Sequence, residues 1–251
     1  MWKIIKKLFT GKKETPLDPG IFHNDLAFKT QWTPLKKGGN QFKTVKLIKE
    51  SPNKLVYKGT LSNIILNIIF LLLPFILTLI LPLLGINSEF FENLTKFPGI
   101  LFALVFVVLG GIGLYNILKP HVFDKKMGLY YQSYKKPVRG SKASEHKKWI
   151  ALHTINALQI IKERIQTKNS SYKSYELNIV MEDGKRFNVI DHGNYEAVKA
   201  DAKTIADFLG VPYWDAITSY TYTPETQKQQ QGRYSQEELD APYDSSKTRK
   251  M

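Results

Sequence analysis

Two almost uncharged apolar runs, residues 63–86 and 97–118, stand ten residues apart and constrain this chain more than any other feature. The first reads NIILNIIFLLLPFILTLILPLLGI, and neither run contains an Asp, Glu, Lys, Arg or His. A helix rises about 1.5 Å per residue, so about 20 such residues match the roughly 30 Å hydrocarbon thickness of a bilayer. No water-soluble core needs such a segment in one piece. The sequence therefore predicts two transmembrane helices, 63–86 and 97–118, joined by an extracytoplasmic loop, 87–96.

The distribution of charge orients them. Residues 1–62 carry thirteen Lys against four acids, and the loop 87–96 carries Glu89, Glu92 and the single Lys96. After the second run come Lys119, Lys125, Lys126, Lys135, Lys136 and Arg139. Positive flanks around a nearly neutral loop predict both termini in the cytoplasm and a multi-pass protein of the cytoplasmic (inner) membrane. The runs begin too deep for a cleaved secretory signal. The start, MWKIIKKLF, predicts a short amphipathic turn on an anionic surface, with Trp2, Ile5, Leu8 and Phe9 inward and Lys3, Lys6 and Lys7 outward. Residues 1–40 are otherwise expected to be basic and partly flexible, with a docked piece around 28–32.

Pro74 and Pro82 interrupt the first run and predict a kinked helix. Gly110, Gly111 and Gly113 in the second let a neighbouring helix come close, either the first run or a second copy in a homo-oligomer. Intramembrane ionisable side chains are the usual mark of transport, so their absence weighs against a transporter or channel.

The soluble part reads as strands divided around the apolar runs. Residues 42–49 and 54–60 form one predicted pair, with Ser51-Pro52-Asn53 as the turn, and 121–123 and 129–133 form another. A longer strand is expected over 150–161. Over 175–190, Tyr175, Leu177, Ile179 and Met181 alternate with polar residues, and Asp183-Gly184 turns the chain into Phe187 and Val189. Asn194 then suits an N-cap, and Val198, Ala202, Ile205 and Leu209 recur at helical spacing before Gly210 and Pro212 end a helix over 194–209. Residues 218–251 hold few aliphatic side chains and are expected to be disordered.

About seven short antiparallel strands closed by one helix resemble a pleckstrin-homology-like domain. The resemblance lies in VFDKKMGLYY (122–131), ALQII (157–161), YELNIVMEDGKRFNVIDHG (175–193) and ADFLGVPYWD (206–215), and covers roughly 41–217. It is similar to uncharacterised bacterial families in which a transmembrane hairpin is inserted between early strands of such a domain. The implied architecture is α+β. A two-helix transmembrane hairpin is inserted in an antiparallel sheet or barrel, with first strands in 41–62, the remainder in 119–217, and a closing C-terminal helix. Strands in 42–60 should then pair with strands beyond residue 120. The resemblance brings no catalytic motif.

No catalytic, cofactor or metal site is readable. Cysteine is absent, which excludes disulfides, thiolate metal sites and cysteine nucleophiles. His121, His146, His153 and His192 lack metal-ligand spacing, and no phosphate-binding loop exists. Asp191-His192, with Ser170, Ser171 and Ser174 nearby in sequence, is the one pairing suited to general-base work in a hydrolase; a polar turn explains it as well. Lys125, Lys126, Lys135, Lys136 and Arg139 are candidate contacts for anionic inner-leaflet headgroups. The expected function is a membrane-anchored, non-enzymatic interaction or scaffold module with a protein partner and no nucleic acid. A hydrolase using Asp191 and His192, or a small oligomeric channel, is the alternative.

Overall fold

The computed structural model describes residues 17–35, 38–80, 83–85, 97–137, 149–166 and 170–225. The amphipathic start, Pro82, the loop 87–96 and Arg139 lie outside the described residues. The fold is α+β, with one antiparallel sheet and one mixed sheet.

The described chain begins with a 3-10 turn, Pro19–Phe22, and a short helix α1, Asp25–Lys29. Asp18 and Asn24 cap them, accepting from the amides of Gly20 and Leu26 at 2.9 Å. Strands β1 (Val45–Ser51) and β2 (Lys54–Gly59) form an antiparallel hairpin. Helices α2 (Leu61–Phe75) and α3 (Phe97–Leu118) follow, and the chain returns in β3 (His121–Asp124), β4 (Leu129–Gln132) and β5 (Trp149–Ala151). The first sheet runs in the order β1-β2-β3-β4-β5. In it β2 pairs directly with β3, from Lys54↔Asp124 to Tyr57↔His121, so the strands on either side of the two helices are hydrogen-bonded neighbours.

The second sheet holds β6 (Ile155–Gln166), β7 (Ser171–Met181), β8 (Arg186–His192), β9 (Tyr213–Asp215) and β10 (Tyr220–Tyr222), in the order β10-β9-β6-β7-β8. Helix α4 (Tyr195–Leu209) lies between β8 and β9; the Asn194 side chain accepts from the Ala197 amide, and Gly210 ends the helix at φ 77°.

Three expectations are corrected. The alternation over 150–161 predicts one strand, but the chain leaves β5 at Ala151, makes a 3-10 turn over Leu152–Thr154 and starts β6 at Ile155. The turn is needed because β5 pairs with β4 and β6 with β7, so the chain crosses between sheets there. Ten strands replace about seven among the described residues, and β6 and β9 run parallel. Residues 218–251 are not uniformly without structure: β10 pairs with β9, and Tyr222 stacks on Tyr213 with centroids 5.1 Å apart. Aromatic contact supplies there the burial that aliphatic residues do not.

The main core lies between the sheets. Leu55, Tyr57, Phe123 and Tyr130 face Leu158, Ile160, Leu177 and Ile179, and α4 closes one side with Val198, Ala202, Ile205 and Ala206. The opposite face of the second sheet is also covered. Phe22, Ala27 and Trp32 pack on Ala157, Val180 and Trp214, with Trp32 and Phe22 centroids 5.9 and 6.0 Å from Trp214. The docked anchors of the N-terminal segment are these residues; Phe28 within the expected 28–32 piece is 62% exposed.

The remainder of this segment is held by its backbone. The Leu35 amide donates to both oxygens of Glu176 (2.9 and 3.1 Å), and the Gly38 and Gly39 amides donate to Glu163 (3.1 Å each). Gln159 and Arg186 donate to the carbonyls of Gln31 and Thr33, and Ser174 donates to that of Asn40. Burial pushes the Glu176 carboxyl above its ordinary value, opposed by the Leu35 amide.

Helices α2 and α3 pack against each other through small residues. A Cβ on Gly110 would lie 2.6 Å from the Leu71 amide nitrogen, and Phe70 and Phe106 stack at 5.9 Å. After Pro74 the first helix continues as a π turn, Ile76–Ile80, and Thr78 donates to the Pro74 carbonyl at 2.7 Å. Among the described residues one helix, Leu61–Thr78, is long and apolar enough to cross a membrane; the apolar part counted in the second, Ala103–Leu118, is shorter.

Candidate functional site at the root of the helical pair

Where α2 and α3 leave the sheets lies an open cavity of about 440 Å³ with a mixed lining, in which Val45, Ile117, Val189 and Ile190 stand among polar side chains. Its walls come from four places: Asn40 and Thr44 ahead of β1, Asn63 and Asn67 of α2, Gly113 and Asn116 of α3, and His121 with Asn188 and Asp191 of the strands. None of the described lining residues is Lys or Arg.

Local structure explains how each wall is held. The Thr60 amide donates to the Thr44 carbonyl at 2.9 Å, and its hydroxyl reaches the carbonyls of Lys43 and Thr44, tying the β1 approach to the start of α2. Asn67 donates to the Asn63 carbonyl and side-chain oxygen at 2.7 and 3.1 Å. Its amide oxygen projects to a point only 1.7 Å from where a Cβ on Gly113 would sit. His121 Nδ1 lies 2.9 Å from the Val189 carbonyl, which only accepts, so Nδ1 carries the proton and stitches the two sheets together. Asn188 Nδ2 donates to Asp191 Oδ1 at 2.8 Å and to Glu176 Oε1 at 3.1 Å.

The Asp191-His192 pair does not form a dyad. Successive strand residues point to opposite faces, and the β8 pairings Glu176↔Asp191 and Tyr175↔His192 put Asp191 with the cavity and His192 on the core side. His192 is fully buried, its Nδ1 accepts from the Asn194 amide at 3.2 Å, and burial, then Lys43, push its pKa down to about 4. It is a neutral ring at physiological pH. Ser174 donates its hydroxyl to the Asn40 carbonyl at 3.0 Å, in the contact with the N-terminal segment.

The candidate headgroup lysines separate into two groups. Lys135 and Lys136 are exposed and follow Tyr134, whose ring lies 5.3 Å from Tyr115 of α3 and whose hydroxyl donates to the Tyr115 carbonyl. They stand at the root of the helices. Lys125 and Lys126 occupy the turn at the far end of β3; the Lys125 amide donates to the Asn53 carbonyl and its Nζ sits 4.5 Å over the Phe208 ring. Lys46 and Lys58, paired across β1 and β2 near the root, are exposed cations that the sequence reading passed over. Strand pairing is what brings them there, so no local motif announces them.

The cavity amides also went unread, although a signal existed. Asn63 and Asn67 lie one turn apart at the start of the first apolar run, and Asn116 lies at the end of the second. An antiparallel pair brings those ends together. No known protein family, curated protein or solved structure matches the chain.

Proposed function

We propose that this chain is a membrane-anchored, non-enzymatic interaction module that holds a pleckstrin-homology-like domain against the cytoplasmic face of the inner membrane. The observation that carries this reading is the β2–β3 pairing, which brackets α2 and α3 and leaves the domain no flexible tether to swing on. The outward surfaces of the two helices support it. Ile65, Leu66, Ile69, Leu104, Val105, Val108, Leu109 and Ile112 are all exposed, an apolar area that water does not tolerate on a free helical pair. The order of four strands, three strands and a helix, with the short β5, β9 and β10 as additions, agrees with the pleckstrin-like arrangement.

Lys46, Lys135 and Lys136 surround the root, where each contributes about 1 kcal/mol of attraction to anionic lipid, and Lys58 beside them is paired with Glu50 at 2.7 Å. Gly110 and Gly113, two of the three glycines that would join two copies in a channel, already lie against α2.

The absence of native cysteine makes the topology directly testable in the full chain. Ser88→Cys, in the loop between the apolar runs, should react with an impermeant maleimide in intact cells. Lys203→Cys, on α4, should react only after permeabilisation. Labelling of Lys203→Cys from outside, or recovery of the chain in the soluble fraction, would sink the reading. Crosslinking followed by affinity purification from native membranes then identifies the protein partner.

A further inference from the structure

We infer that the root end of the first sheet is a seat for the bilayer interface, with Phe42 and Tyr134 lodged in the headgroup layer on either side of the helical pair. The inference rests on the membrane reading above and adds which side chains of the folded domain enter the membrane.

Strand order sets the geometry. In the first sheet α2 follows β2 and α3 precedes β3, so the helices leave from the second and third strands of the row. Phe42 lies three residues ahead of β1 and Tyr134 two residues beyond β4, the strands that flank those two. The pairings Val45↔Gly59 and His121↔Gln132 put both aromatic residues at the end from which the helices depart. With strands about 4.8 Å apart, β1 and β4 stand roughly 14 Å from each other, one outside each helix-bearing strand.

Each ring is also tied to a helix end. The Thr60 hydroxyl, at the N-cap of α2, donates at 3.2 Å to the carbonyl of Lys43, the residue after Phe42. The Tyr134 hydroxyl donates to the Tyr115 carbonyl, and the two rings lie 5.3 Å apart. A Cβ on Gly59, ahead of α2, would lie 3.0 Å from the Ile117 carbonyl oxygen of α3, so the two helix ends are level. Tyr115 is three residues inside the last residue of α3, about 4.5 Å along the axis. The polar layer on each side of a bilayer is roughly 5–8 Å thick, which is the depth that Tyr134 reaches.

The side chains are those an interface selects. Phe42 is 75% exposed, and Tyr134 and Tyr115 are exposed as well. Aromatic rings gain most at this boundary, where the apolar body meets acyl chains and a hydroxyl still finds a polar partner. Lys135 and Lys136, exposed directly after Tyr134, meet lipid phosphates from the same level. Phe28 is the contrast. It is exposed too, but the next residue, Lys29, lies against Gly184 in the β7–β8 turn, at the end of β8 away from Asp191 and the root.

The test uses the full chain, free of native cysteine, in vesicles of phosphatidylcholine and phosphatidylglycerol. The single-cysteine variants Phe42→Cys, Tyr134→Cys and Phe28→Cys carry an environment-sensitive fluorophore, read against aqueous iodide and against lipid bearing a nitroxide near its headgroup. Labels at positions 42 and 134 should be quenched by that lipid and shielded from iodide several-fold relative to the label at position 28. Because these labels replace the rings, a second set keeps them: a label on Lys135→Cys should gain several-fold in iodide access when Phe42→Ser and Tyr134→Ser are added. Phe42 and Tyr134 are exposed, so neither substitution empties the core. Equal iodide access at positions 42, 134 and 28, or unchanged access at position 135 in the Ser variants, would each overturn the proposal. A label on Leu104→Cys, exposed on α3, separates the two ways of failing. If a deep nitroxide lipid quenches it while positions 42 and 134 behave like 28, the seat alone is defeated. If it stays unquenched, the anchoring is defeated as well.

Discussion

The two faces of the second sheet are built from alternate residues of the same strands, yet they are held by different forces. On the inner face Leu158, Ile160, Leu177 and Ile179 meet the other sheet and α4 in a dry core. On the outer face Gln159, Glu176 and Asn178 are just as buried, under residues 17–35 and 38–41. There, side chains of the sheet hydrogen-bond the backbone of a strap, and one aromatic cluster pins its start. Burial on one face thus comes from apolar contact that any close-packed surface supplies. Burial on the other comes from directional bonds that only one segment in one register supplies.

The sharpest way to break the comparison is to remove a large buried side chain from each face. Trp214→Ala, beneath Phe22 and Trp32, should cost about 3–5 kcal/mol, and Leu177→Ala about 2–5 kcal/mol, in chemical denaturation of the full chain. If the strap belongs to the same cooperative unit, both variants unfold in one transition. A separate early phase in Trp214→Ala would mean that the strap comes away by itself.

Acid separates the faces next, and in an unexpected direction. His192 on the core side titrates at about 4 when folded against an ordinary 6.5, so between those values the unfolded chain binds the extra proton. Stability should fall as pH drops through that window, by up to about 1.4 kcal/mol per unit, or about 2 kcal/mol by pH 5. Glu176 on the strap side has a raised value, so its protonation favours the folded chain as pH falls and does not release the strap. Denaturation midpoints from pH 7 to 5 should slope downward in the parent and flatten in His192→Asn. An unchanged slope would remove His192 as the cause.

The smallest expected effect isolates a single strap bond. Glu176→Gln keeps the shape but replaces one of the two acceptor oxygens by an amide NH2, a donor facing the donors of Leu35 and Asn188. A loss of about 1 kcal/mol should follow. Hydrogen exchange should quicken at Leu35 while Leu177 and Ile179 stay protected; acceleration on both faces would mean that they are not independently held.

This contrast also explains what could be read in the chain beforehand. The inner face is written locally: Tyr175, Leu177, Ile179 and Met181 alternate, Asp183-Gly184 turns, and Val198, Ala202 and Ile205 repeat at helical spacing. The pairing of 42–60 with strands beyond 120 was likewise expected and is seen in β2 and β3. The outer face is not written locally. A polar residue at an alternate position looks the same whether water or a strap lies over it, so nothing near Glu176 or Asn178 betrays their burial. Phe22 and Trp214 meet across most of the chain, and β10 depends on tyrosines touching tyrosines rather than on an apolar run. The cavity at the root has the same origin, since its amides come from four separated segments.

The β2–β3 pairing has a further consequence in time. Between Gly59 and His121 lie 61 residues, and at about 5–20 residues per second β2 waits several seconds for the strand it needs. An isolated two-stranded hairpin is marginal in water, so β1 and β2 leave the ribosome as an unfinished edge. If the helices enter a bilayer during that wait, the domain completes itself only after insertion. Assembly then acts as its own checkpoint, because a chain whose helices go astray never closes its first sheet.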